Sequence, residues 1–339
     1  MPAGFGPIAG IQVGHATDER ALTGCTVLLA GAGAVAACEV LGGAVGEREL
    51  EPLRPGHLVE QVHAVLLTGG SAFGLEAAAG VMRWCEEHGF GFDTGVSRVP
   101  IVPAAVIFDL RIGERQKFGS QQRPRHPDAE MGYAAACAAA ASAGATVAEG
   151  NVGAGTGATV GKLFGLERAM KAGLGCWTEE LTGATPAGAP APSGVRVAAL
   201  AVVNAFGDVR DPATGRILAG ARVAADANEF ADTAAALRRG IWRTGFADPN
   251  TVLLAVATDA RLDKQQAQRV ARMAAAGIAR VVSPALSPFD GDVIFVLSTG
   301  RLRADVTALG AAAAEATARA IARGVTEARS AAGLPGLQG

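Results

Sequence analysis

The sequence predicts an α/β fold, and three observations carry that expectation. From Thr251 onward an apolar, β-branched run (Thr251–Thr258) gives way to a helical stretch (Asp263–Ala276), a second apolar run (Asp292–Ser298) and a long helical stretch (Val306–Arg329). Upstream, Ala64–Thr68 reads as a buried strand that breaks at Gly69-Gly70-Ser71 and leads into a helix over Phe73–His88, closed by Gly89. Hydrophobic residues make up 50% of the chain and charged residues 18%, which suits a protein with much interior. On periodicity alone, strands alternating with helices suggest a doubly wound parallel sheet.

The remaining elements follow in order. Thr23–Leu29 and Ala34–Val40 read as two short strands joined by Ala30-Gly31-Ala32-Gly33, with a Gly-Gly turn at Gly42-Gly43. Ile101–Leu110 reads as a strand, and Asp128–Ala143 as an alanine-rich helix closed by Gly144. A glycine-rich run covers Glu149–Gly161, and the strand Val195–Val203 ends at Asn204. Asp208–Asp248 is more polar, with a helical middle, and ends in Pro249. It has the composition of a surface excursion, where a cleavable junction needs to sit. Asp263 is placed to cap the helix it opens.

A chain of 339 residues can bury a sizeable core, and its formal charge of −2 offers no electrostatic footprint for nucleic acid or an anionic membrane. Its five cysteines (Cys25, Cys38, Cys85, Cys137, Cys176) show no metal-ligand spacing and fit buried thiols in a reducing compartment. The five histidines form no metal motif either. Met1–Gly14 lacks the basic and apolar regions of a signal peptide, and no uninterrupted apolar stretch reaches the roughly 18 residues of a spanning helix. The expectation is a cytoplasmic protein with no metal and no organic cofactor.

Four stretches invite chemistry. Gly69-Gly70-Ser71-Ala72-Phe73-Gly74 lies where a nucleophile elbow would, but its second glycine comes one residue late, so Ser71 reads better as a helix N-cap. Asn151–Lys162 fails as a phosphate-binding loop, because Thr156 replaces the first glycine and Leu163 the magnesium-binding hydroxyl. It reads as a glycine-rich turn allowing close backbone approach, or as the wall of a site presenting Lys162. Asp290-Gly291-Asp292 signals a tight turn, or a carboxylate pair held near a nucleophile. Asn250-Thr251, after Pro249, is an ordinary entry into a strand. If that bond is cut, Thr251 carries a free α-amine beside its own hydroxyl, a nucleophile and base in one residue.

Taken together, these stretches resemble the DmpA-type family of L-aminopeptidase/D-amino-acid esterase-amidases, which includes β-peptidyl aminopeptidases and nylon-oligomer hydrolases. The matching stretches are Ile11–His15, Gly42–Gly46, Leu67–Leu75, Val102–Asp109, Glu149–Lys162, Val202–Asn204, Asn250-Thr251 and Phe289–Asp292. The resemblance implies a four-layer α-β-β-α sandwich, like that of ornithine acetyltransferase, in place of the doubly wound sheet. It also implies a single peptidase domain over residues 1–339, self-cleaved into an α chain (1–250) and a β chain (251–339).

By the same resemblance, Thr251 is the nucleophile, Asn204 helps bind the oxyanion, Lys162 lies beside the nucleophile, and Asp290 and Asp292 belong to its orienting network. Tyr133 matches a tyrosine that contributes to the oxyanion site in some members; a helix residue packing its ring is the alternative. Two departures stand out: Val252 replaces a common second threonine, and Leu286-Ser287-Pro288 replaces a His-Thr pair, with Ser287 keeping the hydroxyl. The implied activity is aminopeptidase, amidase or esterase action on small peptides or aminoacyl amides through an acyl-enzyme. Alternatives are hydrolysis of ω-amino-acid oligomers and acyl transfer of the ornithine-acetyltransferase kind. A homo-oligomer, a tetramer of processed units, is implied as well.

Overall fold

A computed structural model describes residues 4–118, 121–142, 145–182, 194–241 and 250–339. Its main strands are β1 (Gln12–Asp18), β2 (Thr23–Val40), β3 (Gln61–Thr68), β4 (Ala104–Val106), β5 (Leu174–Leu181), β6 (Val195–Asn204), β7 (Thr251–Ala260) and β8 (Val293–Leu302). The main helices are α1 (Ala77–Glu87), α2 (Ala129–Ala141), α3 (Lys264–Val281) and α4 (Val306–Thr326).

β2 organises the architecture. Read from the sequence as two strands, it is one strand whose hydrogen-bond register with β3 shifts between Leu29 and Ala34. Gly31 and Gly33 take left-handed φ values of 52° and 107° in that break, a conformation that glycine adopts without the Cβ penalty. The first half of β2 pairs antiparallel with β1 and β3, and its second half pairs antiparallel with β8. From β8 the sheet continues to β7 (parallel), then β6 and β5 (both antiparallel). On the other side, β3 pairs parallel with β4.

The sheet is therefore mixed, which corrects the doubly wound reading. β3–α1–β4 and β7–α3–β8 are genuine parallel β-α-β units, and they produce the alternation seen in the sequence. Periodicity is local, however, and says nothing of the antiparallel β2 that joins the two units.

Side chains alternate between two cores, as a pleated strand requires. Val27, Leu29, Ala64, Leu66 and Ala104 pack against α1 and α2, whereas Leu28, Val65, Leu67 and Ala105 enter the large core shared with β5–β8, α3 and α4. Helices thus cover the outer faces of both halves, in the α-β-β-α order. α1 and α2 cross closely: a Cβ at Gly80 would lie 1.7 Å from the Ala129 carbonyl oxygen, and one at Gly132 would lie 1.9 Å from that of Ala77. That contact explains part of the Ala/Gly richness. No helix among the described residues is long and apolar enough to cross a membrane.

Several local expectations change. Ile101–Leu110 forms a strand only over Ala104–Val106. Ser71 is not the N-cap of α1; it opens a 3-10 turn (Ser71–Glu76) at φ 53°, makes no capping bond, and α1 starts at Ala77. Asp263 does cap α3, in a reciprocal box with Gln266. Cys25, Cys38, Cys85 and Cys176 are buried, but Cys137 on α2 is exposed. Gly144 and Pro249 lie outside the described residues.

Candidate active site

β7 is apolar along both faces because it runs between β6 and β8 and is covered on both sides; its first residue is Thr251. Antiparallel register sets Asn204, the last residue of β6, directly across from Thr251. The glycine-rich run then delivers Lys162. Its 3-10 turn Gly153–Gly155 is tied to Thr17 and Thr26, and the backbone beyond it pairs with the chain after β6, Gly161 N–H to the Gly207 carbonyl and Lys162 N–H to that of Phe206. Lys162 is buried, and its Nζ donates to Asn204 Oδ1 at 2.7 Å and to the Asn204 carbonyl at 3.0 Å.

Thr159 N–H also donates to Asn204 Oδ1, at 3.1 Å, while Asn204 Nδ2 donates to the Phe108 carbonyl at 3.4 Å. Phe108, Asp109, Arg111, Gly157, Thr159 and Lys162 are among the residues lining a small cleft. The amide of Asn204 is thus held with its oxygen on Lys162 and its NH₂ towards a residue of the cleft wall.

The other side of Thr251 is built by the turn before β8. Asp290 Oδ2 accepts from Ser287 N–H (2.9 Å) and Oδ1 from Phe206 N–H (3.3 Å), while Asp292 Oδ1 accepts from Val252 N–H (2.6 Å). Burial, and then the charge of Asp290, pushes the Asp292 carboxyl up to about 8. Beside this turn, Asp290 forms a parallel bridge with Asn250. Gly42 lets the chain pass beside it, since a Cβ there would lie 2.0 Å from the Asp290 carbonyl oxygen. Thr251 Oγ1 donates to the Asn250 carbonyl at 2.5 Å. Ser287 keeps a hydroxyl that accepts from Phe289 N–H, and Val252 is core.

Lys162, Asn204, Asn250, Thr251, Asp290 and Asp292 are therefore brought together, and all are buried. Tyr133 is not placed among them. α2 turns Gly132, Ala135 and Ala136 inward, so Tyr133 sits on the outer helix pair, where its hydroxyl donates to Glu87 (2.6 Å) and its ring lies under the Arg83 guanidinium. In the cleft wall, Asp109 accepts from Thr23 Oγ1 and Gly70 N–H, both at 2.7 Å, and fixes the Gly69-Gly70 turn. Burial pushes this carboxyl up to about 6 and lowers the nearby Lys171 to about 7. The contributions of Thr159, Phe108, Phe206 and Gly291 are mostly backbone groups, which residue type does not announce.

A buried threonine opens a central strand, flanked by lysine, asparagine and two carboxylates, in an α-β-β-α sandwich of the kind that N-terminal-nucleophile hydrolases share. The fold matches that of the L-aminopeptidase D-Ala-esterase/amidase from Ochrobactrum anthropi, whose structure is described as a variant of that fold (TM-score 0.65, 17% identity, covering 97% of this chain and 88% of that one). The model of peptidase family S58 matches residues 7–338, and the chain belongs to that family. It is 42% identical to an uncharacterized aminopeptidase of Mycobacterium tuberculosis, over 97% of this chain and 95% of that protein. It is 29% identical to a 6-aminohexanoate-oligomer endohydrolase of a Kocuria species, over 90% and 81% respectively.

Proposed function

We propose that this peptidase activates itself by cutting the Asn250–Thr251 bond and then works as an aminopeptidase and amidase through an acyl-enzyme on Thr251. The observation that carries the reading is the position of Thr251. Its hydroxyl already touches the carbonyl of the preceding residue, inside a buried cluster of Lys162, Asn204, Asp290 and Asp292.

In the cut protein the α-amine of Thr251, with a reference pKa of about 7.7–8.0, takes the hydroxyl proton as the oxygen attacks an amide or ester. The NH₂ of Asn204 stabilises the tetrahedral oxyanion. The leaving amine departs protonated, and water then releases the acyl group. Small peptides or aminoacyl amides fit this reading, as the aminopeptidase naming of the 42%-identical relative supports. Residues 1–250 and 251–339 are its two chains. The resemblance further supports a cytoplasmic homo-oligomer, a tetramer of processed units.

A denaturing gel tests the scheme. The wild type should run as two bands and Thr251→Ala as one inactive band. An uncut wild type that hydrolyses aminoacyl p-nitroanilides at full rate would sink it. A second reading, hydrolysis of ω-amino-acid oligomers, draws on the 29%-identical oligomer hydrolase. Faster turnover of a 6-aminohexanoate trimer than of any L-, D- or β-aminoacyl amide would favour it.

A further inference from the structure

We propose that the backbone N–H of Gly291 is the oxyanion donor for self-cleavage, distinct from the Asn204 side chain that serves the substrate. The inference rests on the self-cleavage reading above. Gly291 N–H donates to the Asn250 carbonyl at 2.7 Å, and Asn250 N–H donates to the Phe289 carbonyl at 3.1 Å. The two peptide groups flanking Asp290 therefore bracket the residue whose carbonyl is attacked.

The donor is also held rigidly. Ala44 N–H donates to the Asp290 carbonyl at 3.0 Å, Leu41 N–H donates to that of Asp292 at 2.9 Å, and the Asp290 carboxylate ties the turn to Ser287 and Phe206. Glycine is required for this approach: a Cβ at position 291 would lie 2.4 Å from the Ala44 carbonyl oxygen and 3.0 Å from Thr251 Oγ1. A fixed donor in a buried site stabilises developing charge without reorganisation. Asn204, by contrast, has its amide oxygen on Lys162 and Thr159 and its NH₂ on the Phe108 carbonyl of the cleft.

In the step itself, the Thr251 Oγ–C(Asn250) bond forms and the carbonyl π pair moves onto the Asn250 oxygen, where Gly291 N–H receives it. The pair returns as the C–N bond to Thr251 breaks, and the hydroxyl proton ends on the departing nitrogen. The product is an ester isomeric with the starting amide. Water then opens it to an Asn250 carboxylate and a free Thr251.

The test replaces Gly291 with glycolic acid by nonsense suppression, which exchanges only the N–H for an oxygen, and times cleavage on a denaturing gel. Loss of one oxyanion donor should slow cleavage about 10²–10³-fold. Lactic acid in place of Ala44, which removes a bond within the same turn but none to the scissile carbonyl, should slow it far less. A Gly291 ester that cuts at the wild-type rate, or an Ala44 ester that slows cutting equally, overturns the proposal. Independently, the Gly291 amide of the Thr251→Ala precursor should be strongly protected from hydrogen exchange, and exchange at the rate of an exposed loop also overturns it. A wild type that never cuts sinks the activation reading itself, whereas a wild type that cuts beside an unaffected ester sinks this inference alone.

Discussion

Lys162 Nζ and Thr159 N–H converge on Asn204 Oδ1, at 2.7 and 3.1 Å. An ammonium group only donates, so it dictates which end of the amide it faces. The NH₂ is left towards the Phe108 carbonyl at 3.4 Å, a long neutral bond that a charged oxyanion would outcompete. Lys162 thus sets the orientation of the Asn204 amide, the group that the proposed mechanism turns towards substrate.

Lys162→Met keeps the length of the side chain and removes the donor. With the amide free to turn, kcat should fall about 10²–10³-fold, the usual cost of an oxyanion donor, while KM changes little. Steady-state kinetics on aminoacyl p-nitroanilides, with the cut fraction quantified, reads this directly. A kcat at the wild-type level would show that Asn204 holds its orientation without the lysine.

Asp292 predicts a pH dependence of stability. Its folded value of about 8 lies far above the unfolded 3.8, because burial and the charge of Asp290 both penalise ionisation. Between those values the folded state keeps a proton that the unfolded state has lost. Stability therefore falls as pH rises through that window, and the penalty is complete above it. Asp292→Asn should remove the slope while keeping an oxygen for Val252 N–H. Urea unfolding of the Thr251→Ala precursor, with and without Asp292→Asn, should give curves that diverge steadily from about pH 4 to pH 8. Asp109 and Lys171 contribute to both curves and cancel in the difference.

What the sequence made legible follows from how local each signal is. β7, α3, β8 and α4 were readable because each is a continuous run with its own period, and Asp263 announced its helix by a cap. β1 was missed: Gln12–Asp18 mixes small and polar residues and is only partly buried, so no alternation marks it. The passage of β2 from one half of the sheet to the other depends on Gly31 and Gly33, which read as a loop. In the site, Asn204 and Thr251 were found at element ends, yet their pairing across β6 and β7 is a matter of register that residue types do not encode. Gly291, Val252 and Phe206 contribute N–H groups that almost any residue would carry.

The close crossing of α1 and α2 predicts a steric cost at a position remote from the chemistry. Gly132→Ala places a methyl group 1.9 Å from the Ala77 carbonyl oxygen, and backbone on both helices must separate to admit it. Overpacking of this kind typically costs about 1–3 kcal/mol. The urea midpoint should drop while kcat stays near wild type, since no group of the Thr251 cluster lies on either helix. An unchanged midpoint would mean that the helices part freely.

The position of β7 predicts that the proposed cut at Asn250–Thr251 does not release the two pieces of the chain. Thr251–Ala260 is hydrogen-bonded along β6 on one side and β8 on the other, and its side chains are buried on both faces. β6 belongs to the segment before the cut and β8 to the segment after it, while β2, also from before the cut, pairs with the far edge of β8. The C-terminal segment is therefore interleaved between strands of the N-terminal one, and separating them would unfold the sheet. Gel filtration of the processed protein in native buffer should show both chains in a single peak at constant ratio. They should part only at the urea concentration that abolishes the far-UV signal. Dissociation at a lower concentration, with secondary structure intact, would contradict the pairing of β7 with both neighbours.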